Sequence, residues 1–201
     1  MLLRKISTAF LLLATVTIFS CKKDNNDNSS ASCTNLTGWL ANGHELVYEN
    51  SPIVIAADTL YSNFTDVGGG VFKAISKYDD GTIYPTQTVY IQPCGNSIYQ
   101  ATTQDMANKQ EAFRVDGSVG DSWTTTLTSA GGATVTTVNT IQEKNVSVTV
   151  AAGTFSCIKF HQVATISTGG SVTTDIYMNN SVGAVVVDGT TTHYELARKN
   201  F

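Results

Sequence analysis

The chain has three imidazoles, His44, His161 and His193. A zinc site needs three or four convergent ligands, and these histidines lie far apart with no H-x-H or H-E-x-x-H spacing. Glycoside hydrolysis needs two carboxylates about 5–10 Å apart in a cleft. Asp121, Glu143, Asp175 and Glu195 are available, but no spacing selects a pair among them. A serine nucleophile on a G-x-S-x-G elbow is absent. Gly68-Gly69-Gly70 and Gly131-Gly132 are glycine-rich, yet neither joins a strand to a helix in a phosphate-binding pattern. Asp79-Asp80-Gly81 lacks the spacing and closing Glu of a calcium loop and reads as a turn. The expectation is a protein with no catalytic residues, no metal and no cofactor, and no residue stands out as a ligand contact.

The remaining chemistry belongs to cysteine. The four are Cys21, Cys33, Cys94 and Cys157, with no C-x-x-C pair, which excludes a redox motif or a four-cysteine zinc site. Cys21 ends the stretch MLLRKISTAFLLLATVTIFSC. Arg4 and Lys5 precede an apolar run from Ile6 to Phe19, shorter than the roughly 20 residues a spanning helix needs. A short apolar run behind a basic start reads as a cleaved signal. Ile18-Phe19-Ser20-Cys21 resembles a lipobox, with Phe19 bulkier than usual, so residues 1–20 are expected to be removed and Cys21 to carry lipid. Residues 21–32 (CKKDNNDNSSAS) are too polar to fold and form a tether. The run after Cys21 resembles lipoproteins of the Bacteroidetes group, although Asn25 and Asn26 interrupt its acidic residues. The expected address is the outer membrane, on either its periplasmic or its cell-surface face.

Export places the other three cysteines where a disulfide is permitted. Cys33 with Cys94 is the candidate pair, since Cys94 sits in a Pro93–Asn96 turn and Cys157 lies in an apolar strand. The alternative is that all three stay reduced.

Composition sets further bounds. Without Arg4 and Lys5 the chain keeps ten basic and sixteen acidic groups, net −6. A negative chain with no basic stripe is a poor nucleic-acid binder. Residues 33–201 suffice for one core and fall short of two. Thr occurs 26 times in that span, and with Val it favours half-buried pleated surface.

The elements that must position these residues are short strands between turn signals. Strand character recurs at His44–Tyr48, Val71–Lys77, Thr86–Gln92, Ser97–Thr102, Glu111–Val115, Trp123–Thr128, Ala133–Glu143 and Asn145–Val150. It returns at Thr154–Thr165, Val172–Met178, Gly183–Asp188 and His193–Arg198. Helix signals are weak, with short turns expected at Asn35–Ala41 and Gln104–Ala112. The fold class expected is mostly β: a single antiparallel curved sheet or half-open barrel of about ten strands with one or two short helices.

The phrases Val119-Gly120-Asp121-Ser122-Trp123, Val148–Cys157 (VTVAAGTFSC), Tyr177-Met178, Ser181-Val182-Gly183 and Glu195-Leu196 form a series. It resembles a family of uncharacterised exported bacterial domains, over roughly residues 115–198. Ala151, Met178 and Ser181 depart from that pattern. The resemblance implies a half-open barrel similar to the lipoprotein-carrier (Lol-type) fold, wrapping a helix or an apolar cavity. Its glycines read as turn or bulge positions, and Trp123 and Phe155 as anchors of a curved sheet.

Two readings of function follow. One is a non-enzymatic binding module for an apolar or lipid-like ligand, a small molecule or an acyl chain. The other is a structural or interaction protein of the cell envelope that meets a protein or glycan partner. A hydrolase with an unrecognised site is a third. A dry cavity lined by Val, Ile and Phe favours the first, and an exposed aromatic patch the second.

Overall fold

Inward apolar and outward polar side chains alternate along the strands, and twelve strands built this way have one face to bury. The structure, a computed structural model, describes residues 38–50, 59–79, 86–128, 133–190 and 192–201. Cys21, Cys33 and most of the turn expected at residues 79–82 lie outside them. The strands are β1 (Glu45–Asn50), β2 (Thr59–Gly68), β3 (Val71–Tyr78), β4 (Gln87–Cys94), β5 (Ser97–Ala101) and β6 (Gln110–Arg114). They continue with β7 (Ser122–Thr128), β8 (Thr134–Val150), β9 (Gly153–Ile166), β10 (Ser171–Asn179), β11 (Gly183–Gly189) and β12 (His193–Lys199).

All twelve form one antiparallel sheet in the order β6-β5-β4-β3-β2-β1-β12-β11-β10-β9-β8-β7. Every neighbouring pair is consecutive in sequence except β1 with β12, which zip the first strand to the last. The two edge strands, β6 and β7, are themselves consecutive, so the sheet curls until its edges meet. There the indole Nε1 of Trp123 donates to the Glu111 carbonyl at 2.8 Å, and the Gln110 amide donates to the Thr126 carbonyl. The result is a nearly closed barrel, as the sequence reading expects.

Two long strands do more than line the wall. β8 and β9 pair over their length, with register shifts between Ile141 and Val146, where Asn145 has a φ of 60°. Beyond that bulge the hairpin tip reaches β12, four places away in the sheet, and the Ala152 amide donates to the Leu196 carbonyl at 3.2 Å. Val150, Cys157, Ile158 and Phe160 thereby join a core with Leu46, Phe64, Met178, Val185 and Leu196.

The sequence reading differs from this architecture in three places besides its two segments Ala133–Glu143 and Asn145–Val150, which are the single strand β8. The first is the helix expected at Gln104–Ala112. Residues 103–109 instead make turns, and Gln110–Arg114 is strand β6. The Asp105 carboxylate accepts from Thr103 Oγ1 and the Ala107 amide, and Met106 takes a φ of 55° with its side chain buried beside Val71 and Ala101. Such local side-chain bonding competes with helix. The second is Asn35–Ala41, whose described part, residues 38–41, is turn and irregular chain; no helix occurs among the described residues. The third is β2, which the reading omits. Its inward row is Leu60, Ser62 and Phe64, so a serine interrupts the apolar alternation. Ser62 Oγ lies 2.9 Å from Ser76 Oγ on β3, a buried hydroxyl pair.

Gly183 opens β11 at a φ of +85°, and a Cβ there would stand 3.0 Å from the Trp39 indole. Gly183→Ala therefore meets both a left-handed backbone penalty and a clash, and should cost about 2 kcal/mol or more. Urea unfolding of the two proteins measures it, and an unchanged midpoint would contradict the contact.

Candidate functional site

The concave face does not fill itself. A cavity of about 150 Å³, partly open to solvent, remains between the β1–β6 wall and the β9–β12 wall. Apolar side chains dominate its lining: Leu60 and Phe64 from β2, Val89 and Ile91 from β4, Ile98 from β5, Phe113 from β6, Ile176 and Met178 from β10 and Val187 from β11. Trp39 closes it from the segment before β1, packed edge-on against Phe64 with ring centroids 5.1 Å apart.

The polar lining is uncharged. Ser62 and Ser76 bond each other on one wall, with Gln87 opposite Ser76 on β4. On the other wall Gln162 Nε2 donates to Asn139 Oδ1 at 2.7 Å, and Thr174 stands opposite Gln162. Tyr48 donates its hydroxyl to the Ala184 carbonyl at 3.1 Å, and burial pushes its phenol well above the ordinary tyrosine range. No Asp, Glu, Lys, Arg or His lines the cavity. The Trp39 indole N–H is buried without an acceptor.

The ionisable residues singled out in the sequence stand elsewhere. His161 Nδ1 lies 2.6 Å from Asp175, whose other oxygen bonds Lys159 at 2.8 Å. Burial raises that carboxyl, but the bonds from Lys159 and His161 outweigh it and hold Asp175 below the usual range. His193 bridges Asp188 at 3.1 Å and Glu195 at 2.9 Å. Partial burial lowers its pKa, yet the two carboxylates prevail and raise it. His44 stacks on Phe201, centroids 4.2 Å apart, with Nδ1 3.1 Å from the Trp39 carbonyl. Asp121 accepts from the Ser118 amide in the β6–β7 connection, and Glu143 is exposed on β8. The four candidate carboxylates are thus dispersed. Among the described residues no three His, Cys, Asp or Glu converge as a metal site.

Cys94 is disulfide-bonded. Cys157 is free and buried on β9, and desolvation pushes its thiol up to about 11, so it behaves as a small hydrophobe.

The phrases that carry the family resemblance gather at two structural joints. Trp123 sits at the meeting of β6 and β7, edge-on to Phe160 and under the Arg114 guanidinium at 5.0 Å. Arg114 is itself held by Glu111 at 2.6 Å. Gly183 seats Trp39. The sequence reading does not single out Trp39, although its partner Gly183 stands in a marked phrase.

No protein-family model matches the chain, and no curated protein does. Two solved structures share the fold. One, from Bacteroides fragilis, is described as an exported protein with a YmcC-like fold; it is 10% identical, with a TM-score of 0.57 over 84% of this chain and 100% of the other. The second, from Parabacteroides distasonis, is described as a lipoprotein; it is 12% identical, with a TM-score of 0.54 over the same shares. At these identities the likeness is one of fold.

Two outcomes follow from the geometry. Trp123→Phe keeps the ring and deletes the bond to the Glu111 carbonyl, so urea unfolding should show a loss of about 1–3 kcal/mol. Amide exchange in β6 should also quicken, and exchange that quickens equally in every strand would contradict a local closing role. For His193 the raised pKa means that its pairing stabilises the fold fully below about pH 6.5, the unfolded value. The contribution fades as pH rises through the folded value. A surface pair of this kind gives about 0.5 kcal/mol. Midpoints of wild type and His193→Asn should differ at pH 5.5 and converge above pH 8, and a gap that widens with pH would refute the assignment.

Proposed function

We propose that this chain is a non-enzymatic lipoprotein of the bacterial cell envelope, anchored at the outer membrane through Cys21, whose barrel interior receives an apolar or lipid-like ligand. The observation that carries the reading is the cavity itself. Interiors are normally packed to the density of organic crystals. Here a concave face lined by Val, Ile, Leu and Phe is left partly empty beside a handful of convergent polar groups, the usual make-up of a small-molecule site.

Three further points support it. The lipobox-like Ile18–Cys21 and the polar run after it support a lipid anchor. The two proteins of similar fold are described as exported and as a lipoprotein. The resemblance to lipoprotein-carrier half-barrels, read from the sequence, belongs to folds that hold apolar groups in a curved sheet. The non-enzymatic part rests on the positions of the charged and imidazole groups, which stand outside the cavity lining, Asp175, Asp188 and Glu195 in pairs with Lys159, His161 and His193. The alternative, a docking protein for an envelope protein or glycan, has less behind it. Among the described residues the exposed large hydrophobics are Val119 and Val138, which stand on separate segments and make no aromatic patch.

Expression of the full chain followed by membrane fractionation tests the anchor. The wild type should partition with the outer membrane, and Cys21→Ser should leave it. Native mass spectrometry of the detergent-free Cys21→Ser protein should then show a co-purifying apolar molecule that organic extraction releases. A bare mass, under conditions that keep a known lipid-carrier complex intact, would count against the ligand.

A further inference from the structure

We infer that the molecule taken by the cavity, or the part of it that enters, is electrically neutral and compact: a ring-sized or branched apolar group, not an ionised amphiphile. This rests on the reading of the cavity as a binding site and names its ligand class. Two observations converge on it.

The first is the lining. An ion moved from water into an apolar enclosure is strongly penalised unless a partner charge or a full set of hydrogen bonds meets it. The lining supplies no cation and no carboxylate. Its ionisable groups are the phenols of Tyr48, Tyr78 and Tyr194, and burial holds Tyr48 in its neutral form. The chain does not lack charge: Lys159 and Arg114 sit close to the barrel wall, but both are paired with carboxylates, Asp175 and Glu111.

The second is size. A cavity of about 150 Å³ matches the dry, apolar kind that accepts a benzene molecule. It falls short of the roughly 300–1,000 Å³ of sites that enclose drug-sized ligands. A single ring or a short branched group fits.

The test uses four probes of one ring size in protein-observed NMR titrations of the soluble Cys21→Ser chain: toluene, benzyl alcohol, benzoate and benzylamine. Toluene and benzyl alcohol should saturate, with benzoate and benzylamine at least tenfold weaker. Val89→Phe, which projects a ring into the cavity opposite Ala74, should abolish all four titrations. Ile176→Phe serves the same purpose if the first variant does not give a native amide spectrum. Charged probes that bind as tightly as neutral ones, and are still lost on filling the cavity, would overturn the ligand class while leaving the site. Absence of saturation by any probe, or titrations unchanged by the filling variants, would overturn the site itself.

Discussion

A single indole N–H spans the two free edges of the sheet. Everywhere else adjacent strands are joined by backbone ladders, whereas β6 and β7 are the ends of the strand order and meet through side chains. Trp123 Nε1 reaches the Glu111 carbonyl, and the Gln110 amide reaches the Thr126 carbonyl from the other side. The same Trp123 ring packs on Phe160, which also meets Phe113 edge-on at 5.2 Å. Closure and core packing are therefore one event. Were β6 to swing out, Ala112 and Phe113 would leave the cavity wall and Phe160 would lose Phe113 from its aromatic contacts. The cavity exists as an enclosure because this seam holds.

The polar residues inside the barrel add a second constraint, on register. Apolar alternation alone fixes which face of a strand points inward, since a slip of one residue exposes the whole apolar set. A slip of two residues keeps the faces and would satisfy that pattern almost as well. Ser62 stands directly opposite Ser76, and Asn139 directly opposite Gln162, each pair hydrogen-bonded in its place. A two-residue slip would leave three buried polar groups and the half-buried Gln162 facing hydrocarbon, at about 1–3 kcal/mol for each unsatisfied buried group. In a barrel of long, Thr-rich strands with little else to tell one register from the next, those pairs make the native alignment specific.

The alternation that announces strands in the sequence also explains what it concealed. Asn145–Val150 is legible because Val146, Val148 and Val150 keep a strict period of two. β2 is not, because the serine at its centre looks outward-facing until Ser76 is brought opposite it. The separate segments Ala133–Glu143 and Asn145–Val150 are one strand bent at Asn145, since Glu143–Asn145 mark a bulge and not a turn between strands. Gln104–Ala112 has helical spacing, but Thr103, Asp105 and the positive φ of Met106 stop a helix, and Phe113 is required in β6. The cavity was legible only as a possibility tied to the fold. Its members come from ten strands and one preceding segment, and no local spacing encodes that convergence. Gly183 was marked as a bend, and its actual duty, to admit the face of Trp39, depends on a residue 144 positions away.

The division of charge between the two faces of the sheet bears on how the protein would choose a ligand. On the outer face one cross-strand row runs Thr140, His161, Asp175, Asp188 and His193. Asp175 and Asp188 stand directly opposite each other, an arrangement that repels. Each carboxylate turns to its own cation or imidazole, Asp175 to Lys159 and His161, Asp188 to His193. In this row the charges are balanced locally, and no charged residue lines the cavity. A barrel arranged in this way does not attract a ligand by a strong field directed into its interior. Its selectivity comes from what can shed water without penalty and fit a small, mostly apolar space. Long-range steering would have to come from elsewhere, and the lipid anchor proposed at Cys21 would, by confining the domain to the membrane surface, raise the local concentration of apolar molecules without any charge on the cavity wall.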